Sequence, residues 1–356
     1  NLFLPSDSRP LHFVGICGAG MSALAMVALE RGIPVTGSDR DTSGAAPLRQ
    51  RGATVHEGHR AGYVDGARAV VATAAVSPDH VELARARELS IPVVPRKEAL
   101  AGLVSAGRTV GIAGTHGKTT TTVMATDALI AAGLDPTGLA GGLVAAWGGN
   151  ARVGGTAWFV VEADEYDQAF LALHPTIAVV NNVDVDHLEC YGSREALEAA
   201  FVTFAGRAER VLVGNDGAGA ARIAAALGDK AWRFGPDAED IALERVELGA
   251  AGSRADVRLP DGRRVTLRLP VPGLHNLRNA TAALGVVAAL DGDVAAAAEA
   301  LAGFGGVGRR FERHGEVAGV AVVDDYAHHP VELRATLAAA RQAFPDRRLV
   351  AVFQPH

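Results

Sequence analysis

The chain has 356 residues, 49% of them apolar and 21% charged, and a formal net charge of −6. That length allows two or three domains with real cores, and the negative balance excludes a global attraction to nucleic acid or to an anionic membrane surface. Two cysteines, Cys17 and Cys190, exclude a disulfide framework, and the longest apolar runs, such as 282–290, are too short to span a bilayer, so a cytoplasmic protein is predicted.

The first hundred residues alternate strand and helix. Apolar runs at 11–15, 34–37, 53–56 and 69–73 read as strands, and 79–89 reads as a helix, which predicts a parallel, doubly wound sheet. The first strand enters a glycine-rich turn, Gly15 to Ser22, and a helix through Arg31. Within it Gly18, Ala19, Gly20, Met21, Ser22 and Ala23 fit G-x-G-x-x-A, and Asp39 follows near the end of the second strand. That is a pyrophosphate-binding pattern with an acid placed for a ribose hydroxyl. The pattern names a diphosphate and leaves the nucleoside open: a dinucleotide, as in an NAD-dependent oxidoreductase, and a nucleotide sugar both satisfy it.

A second unit begins at Arg108. The strand 109–113 runs into Gly114, Thr115, His116, Gly117, Lys118, Thr119 and Thr120, which open a helix to about 132. Glycines let backbone N–H groups turn around phosphates, Lys118 can reach the terminal phosphates, and the Thr119 hydroxyl can ligate Mg²⁺. Ile112 stands where the strict phosphate-loop pattern has its first glycine, so the loop is a variant. Only three of the 34 basic residues are lysines, and Lys118 is one of them. In a chain that writes Arg nearly everywhere, a retained Lys points to a required compact ammonium.

The apolar strand 158–162 ends in a run of acids, Glu162, Asp164, Glu165 and Asp167, at the edge where α/β sheets bind ligands. Glu162 ends the strand and is the predicted metal ligand beside Thr119, a hard oxygen donor suited to Mg²⁺. The strand 177–181 leads in the same way to Asn181, Asn182, Asp184 and His187; His187 is a candidate ligand of a second metal ion, set against a purely structural histidine. Helix 194–204, strand 211–213, short strands over 241–269 with an Asp261-Gly262 turn, and helix 275–290 follow. Asn276 and Asn279 share one face of that last helix and could read an adenine edge or simply cap the helix. Farther on, Arg309 and Arg310 offer guanidinium groups to a phosphate or carboxylate. Strands at 311–317 and 320–325 flank a turn at Ala318-Gly319, and Asp325, Tyr326, His328 and His329 precede Pro330 at the start of a helix over 331–343, with a strand expected at 349–353. The stretch from 309 to 356 is too short to complete another doubly wound sheet, and the first residue is not Met, so a part of a longer chain is expected.

Taken in order, these segments resemble the Mur ligase family across essentially the whole chain: G-x-x-G-A-G-M-S at Gly15–Ser22, G-T-H-G-K-T-T at Gly114–Thr120, E-A-D-E at Glu162–Glu165, D-H at Asp186-His187, H-N-x-x-N at His275–Asn279, R-R-F at Arg309–Phe311, D-D-Y-x-H-H-P at Asp324–Pro330 and F-Q-P-H at Phe353–His356. The resemblance implies an α/β chain with three units: a Rossmann-like unit over 1–107 for a UDP-sugar, a central ATP-binding unit over 108–308 of the phosphate-loop type, with a parallel sheet plus a small antiparallel sheet, and the start of an incomplete Rossmann-like unit over 309–356. It further implies ATP-dependent ligation of L-alanine to UDP-N-acetylmuramic acid through an acyl phosphate, in peptidoglycan precursor synthesis. Two Mg²⁺ ions, or Mn²⁺, are expected on Thr119, Glu162 and His187, with Lys118, Glu162 and His187 catalytic. ATP is expected on residues 114–120, Asn276, Asn279, Arg310 and Asp325, the UDP-sugar on residues 18–22 and Asp39, and the amino acid near Tyr326 and His328. A family member that attaches a whole peptide to the same sugar nucleotide shares some of these spellings; Arg309–Phe311 and Phe353–His356 read more like the alanine-adding branch. A non-catalytic nucleotide-sensing module is the other alternative.

Overall fold

The computed structural model describes residues 2–5, 7–184, 186 and 188–354. In chain order the first elements are β1 (Leu11–Val14), α1 (Ala19–Glu30), β2 (Val35–Asp39), α2 (Ala46–Gln50), β3 (Thr54–Glu57), β4 (Ala69–Ala72), α3 (Val81–Glu88), β5 (Val93–Pro95) and α4 (Arg96–Val104). The five strands form one parallel sheet in the order β3-β2-β1-β4-β5. Strands are added on one side of β1 and then on the other. The chain therefore reverses its winding between β1 and β4, and the glycine-rich turn after β1 opens at that crevice, where doubly wound sheets hold ligands.

The next elements are β6 (Arg108–Ala113), α5 (Lys118–Ala131), β7 (Thr137–Val144), β8 (Gly149–Arg152), β9 (Trp158–Glu162), β10 (Ile177–Val180), α6 (Leu188–Tyr191), α7 (Arg194–Gly206), β11 (Arg210–Gly214), α8 (Gly217–Leu227), β12 (Ala231–Pro236), β13 (Ile241–Gly249), β14 (Gly252–Arg258), β15 (Arg264–Leu269), α9 (Leu274–Ala288) and α10 (Val294–Leu301). All ten strands join one sheet, β15-β14-β13-β12-β11-β10-β6-β9-β7-β8. The antiparallel strands expected over 241–269 continue this sheet: β13 pairs parallel with β12, then β14 and β15 turn back. Strand β6 lies between β9 and β10, so the phosphate loop, Glu162 and Asn181 emerge side by side from three neighbouring strands. β10 is buried along its whole length, as its unbroken apolar run requires.

Helix α1 explains how the two sheets are joined. Its sequence, AGMSALAMVALE, is apolar around the whole circumference, and residues 21–28 are all buried. A helix without a polar face must be covered on every side. One side packs on its own sheet and the other on β7 and β8, where the Met26 thioether lies so close to Gly149 that a Cβ there would meet it at 2.3 Å. One apolar core consequently runs from Phe13 and Leu24 through Phe159 and Val161 to the aromatic cluster of Phe170, Phe201 and Phe204. On the opposite face of the large sheet, α5 packs over β6, β7 and β9, α9 packs over β11 to β14, and α10 packs against α5 and β15.

The last elements are β16 (Glu312–Val317), β17 (Val320–Asp324) and α11 (Pro330–Ala343). The hairpin turns at Ala318 and Gly319, both at positive φ, the geometry of a two-residue primed turn. Phe311, Ala339 and Ala343 form its small core. The strand expected at 349–353 is absent. This stretch pairs with no strand among the described residues, so its backbone joins no ladder, and Val350 and Val352 are exposed. Among the described residues no helix is long and apolar enough to cross a membrane.

Gly111 in β6 sits against the Phe204 ring, where a Cβ would come within 2.9 Å of its Cζ. Phe204 thus supports the strand that carries the phosphate loop. Phe204→Ala is expected to destabilise the fold by about 3–5 kcal/mol, the usual cost of emptying a buried phenyl site, read as a lower urea midpoint at unchanged slope.

Candidate active site

The phosphate loop is shaped by two glycines and held by the end of the neighbouring strand. Gly114 has φ +130 and Gly117 has φ +79; a Cβ on Gly117 would lie 2.5 Å from the Asn279 Oδ1. Asn182 Oδ1 accepts from the His116 amide at 2.8 Å, and Asn182 Nδ2 and Asn181 Nδ2 each donate to the His116 carbonyl at 3.2 Å. The Thr115 hydroxyl accepts from the Asp184 amide at 2.9 Å. The loop after β10 therefore laces the phosphate loop into one conformation, with Lys118 at the first turn of α5.

Lys118 Nζ meets both carboxylate oxygens of Glu165, at 2.8 and 2.7 Å, and both side chains are withdrawn from water. Burial alone would lower the pKa of this ammonium. The carboxylates of Glu165, Asp164 and Glu162 outweigh burial and hold it above the ordinary lysine value. The acidic segment is itself braced: the Tyr191 hydroxyl donates to the Glu165 carbonyl at 2.5 Å, and Gln168 N donates to the same carbonyl at 3.0 Å. Glu162 is fixed from the other side, its Oε2 accepting from the Gly141 amide at 2.7 Å. A Cβ on Gly141 would fall 2.7 Å from that oxygen, so the cradle for the carboxylate depends on glycine.

Two clefts flank this centre. One is lined by His116, Gly117, Asn276, Asn279, Arg310 and Asp325 among others, between the phosphate loop, the start of α9 and the C-terminal hairpin. Asn276 donates to the Pro272 carbonyl at 2.7 Å, so it also steadies the entry to α9. Asp325 accepts from the amides of Phe311 and Ala327 at 2.7 and 2.8 Å and from Thr336. The other cleft is lined by Gly15, Gly18, Ala19, Gly20, Met21 and Thr73, and it runs on to Gly141, Glu162 and Asp164. The first glycine loop and the acids beside Lys118 thus border a common hollow.

Several expected residues sit differently. Asp39 does not line the second cleft; its Oδ2 accepts from the Cys17 amide at 2.9 Å, so the carboxylate shapes the glycine turn. Ser22 is buried, its hydroxyl turned back to the Ala19 carbonyl at 3.0 Å. Tyr326 and His328 are exposed, pack against each other, and line neither cleft. Thr119 and Thr120 are buried in the first turn of α5. His187 lies outside the described residues. Among the described residues no group of three or more His, Cys, Asp or Glu is arranged to hold a metal ion. Thr119 and the cradled Glu162 carboxylate each offer a hard oxygen of the kind Mg²⁺ takes.

Sequence reasoning missed Glu165 as the partner of Lys118, and it missed Glu332. Glu332 lies in the first turn of α11 and completes a capping box with His329. Its Oε1 stands 3.3 Å from His116 Nδ1 on the phosphate loop and 3.8 Å from Arg310. The capping-box spacing was legible; the contact with a loop more than two hundred residues away was not.

Burial would raise the Glu332 carboxyl, but His116, the His328 amide and Arg310 outweigh it and bring it from the ordinary 4.5 to about 2. A depressed carboxyl stabilises the fold above its unfolded pKa and loses that contribution as pH falls through its folded value. Glu332→Gln should therefore lower stability by about 1–3 kcal/mol near pH 7. The difference from the parent should shrink as pH drops from about 4.5 toward 2, followed as the gap between the two thermal midpoints.

Comparison with known proteins agrees with this geometry. Models of the Mur ligase family match three successive stretches: the family's catalytic domain over 10–108, its middle domain over 112–287, and its glutamate ligase domain over 309–356. The chain is 46% identical to the UDP-N-acetylmuramate–L-alanine ligase of Clavibacter michiganensis, covering 99% of this chain and 74% of that protein. It is 45% identical to the enzyme of the same name from Nitratidesulfovibrio vulgaris, covering 98% and 78%. Among solved structures, the UDP-N-acetylmuramate-alanine ligase MurC of Thermotoga maritima superposes with a TM-score of 0.89 at 33% identity, covering 98% of this chain and 81% of that one. A murein peptide ligase of Psychrobacter arcticus gives 0.81 at 28%, covering 98% and 79%. The joined sheets, the braced phosphate loop and the acids beside it, together with these matches over nearly the whole length, establish that the chain belongs to the Mur ligase family.

Proposed function

We infer that this chain is a UDP-N-acetylmuramate–L-alanine ligase of peptidoglycan precursor synthesis, acting in the cytoplasm on ATP, the sugar nucleotide and L-alanine. The observation that carries the reading is the shared hollow: the glycine loop suited to a nucleotide diphosphate opens onto Glu162 and Asp164, and both acids lie close enough to Lys118 to hold its charge. The identity of about 45% with enzymes of that name favours L-alanine over a peptide as the acceptor. We assign 1–107 to the sugar nucleotide, 108–308 to ATP, and 309–356 to the start of the unit that closes on both.

The chemistry demands that two polyanions approach each other. The muramyl lactyl carboxylate attacks the γ-phosphate of ATP, ADP leaves, and the alanine amine displaces phosphate from the acyl phosphate. Lys118 supplies a buried positive charge at the transferring phosphoryl group, and the phosphate-loop amides at the start of α5 hold the bridging phosphates. Residues 114–120 wrap the triphosphate, while Asn276, Asn279, Arg310 and Asp325 line the cleft on its far side. Thr119 and Glu162 would hold Mg²⁺, with His187 as the candidate for a second ion; bound there, the metal neutralises phosphate charge. Residues 18–22 take the diphosphate of the sugar, with Asp39 holding their turn. Tyr326 and His328 are left as the candidate border of the amino-acid site, an assignment that needs them drawn inward on closure.

Glu165 must give up Lys118 when the triphosphate enters. This exchange of one anion for another keeps the ammonium neutralised in both states, so it never stands buried and unpaired.

Lys118→Ala should reduce ATP-dependent phosphate release by at least about 10³-fold, while binding of UDP-N-acetylmuramic acid, measured by calorimetry, stays within a few fold. Equal loss of both would count against the division of labour. Phosphate release with UDP-N-acetylmuramic acid should require L-alanine, with weaker response to glycine or L-serine; a tripeptide acceptor working better than L-alanine would move the assignment to the peptide-adding branch. Glu162→Gln should raise the Mg²⁺ concentration needed for half-maximal turnover by about tenfold or more, with sugar-nucleotide affinity preserved.

A further inference from the structure

The sugar-nucleotide cleft has a charge problem that its glycine loop does not solve. Glu162 and Asp164 line it, and the proposed ligand brings a diphosphate and a carboxylate of its own. Helix α1 starts at Ala19 behind an uncharged cap, Gly18, with no basic residue in its first turn. The partial charge of a helix end, about half a unit, cannot offset several full negative charges.

One cation lines the cleft among the described residues: Arg96. It is the first residue of α4, which follows β5 at the edge of the same sheet. Its guanidinium lies directly over the glycine loop, so close that a Cβ on Gly20 would meet Nη1 at 2.5 Å and Cζ at 3.3 Å. In the simple reading of G-x-G-x-x-A the second glycine lets the phosphate approach. Here the group that the missing Cβ admits is an arginine. Its acidic neighbour, Asp164 Oδ2, stands 3.9 Å away from Nη2, beyond hydrogen-bond distance, and the arginine side chain is 28% exposed. The fork thus leaves its donors to another acceptor.

We infer that Arg96 is the residue that grips the diphosphate of the sugar nucleotide, roofing it against the amides at the start of α1. This rests on the function proposed above and adds a specific anchor to it. A planar guanidinium donates two parallel hydrogen bonds to phosphate oxygens, which an ammonium cannot reproduce. Because Arg96 leans toward Asp164, which precedes Glu165, the partner of Lys118, its position also ties the seat of the sugar nucleotide to the acids beside the phosphate loop.

The test is calorimetry of the whole chain with UDP-N-acetylmuramic acid, UDP and UMP, on the parent and on Arg96→Gln, Arg96→Lys and Asp164→Asn. The parent should prefer UDP to UMP. Arg96→Gln should weaken UDP by about 10- to 100-fold, the worth of charge-assisted hydrogen bonds, and should narrow the UDP-to-UMP ratio. Arg96→Lys should recover only part of the loss. Asp164→Asn removes the competing carboxylate and should tighten UDP. In turnover, KM for the sugar nucleotide should rise in Arg96→Gln while KM for ATP stays put. If Arg96 merely braced the acidic segment through Asp164, Arg96→Gln and Asp164→Asn would change UDP affinity in the same direction, and that result overturns the inference. So does a full UDP-to-UMP preference in Arg96→Gln. Failure of the parent to bind UDP-N-acetylmuramic acid at all would bring down the proposed function and this anchor together.

Discussion

A primary ammonium withdrawn from water, Lys118, sets the terms for this structure. Burial works against its charge, and the fold answers with three carboxylates on one segment, the nearest of them, Glu165, making two hydrogen bonds to it. That arrangement needs β6 and β9 to be neighbours, because the lysine follows one and the acids follow the other. It needs β10 on the far side of β6, because Asn181 and Asn182 hold the loop that aims the lysine. The strand order of the central sheet is thus the order in which a positive charge, its counter-charges and its braces must stand.

The same constraint reaches the first sheet through α1. A helix apolar on every side is unstable unless two surfaces cover it. Its burial between the small sheet and β7–β8 brings the first glycine loop up to Gly141 and Glu162. One continuous core joins the two sheets, so the loop and the acids keep a common frame. The C-terminal hairpin and α11 are attached differently. Their core is small, and the link to the phosphate loop is polar, made by Glu332 to His116 with Arg310 alongside. A polar contact between units releases more readily than an apolar core, which suits the closure proposed for this part.

Much of this was legible in the order of residues. Strands β1, β6, β9 and β10 were readable because buried parallel strands are unbroken apolar runs, and both glycine loops because a strand, a turn and a helix must follow in that order. The elements around β7, β8 and α4 were not. β7 contains Gly138, Gly141 and Gly142, and its glycines read as loop until the neighbours that exclude a Cβ are seen: Thr126 at Gly138 and the Glu162 carboxylate at Gly141. The strand expected at 349–353 had the right composition but no partner, and a strand exists only as half of a ladder.

The sequence by itself determined which chemistries are present: a glycine-rich loop carrying one of only three lysines, acids at a strand end, and a second glycine loop without a charge of its own. Only the tertiary structure decided the pairings. It gave Lys118 to Glu165 and seated Glu162 on the Gly141 amide, turned Asp39 inward to the Cys17 amide, and brought Arg96 over Gly20. The reason is range. Propensity, periodicity and capping act over a few residues along the chain. A charge in a low-dielectric site is partnered by whatever the packing of distant strands puts within about 3 Å of it.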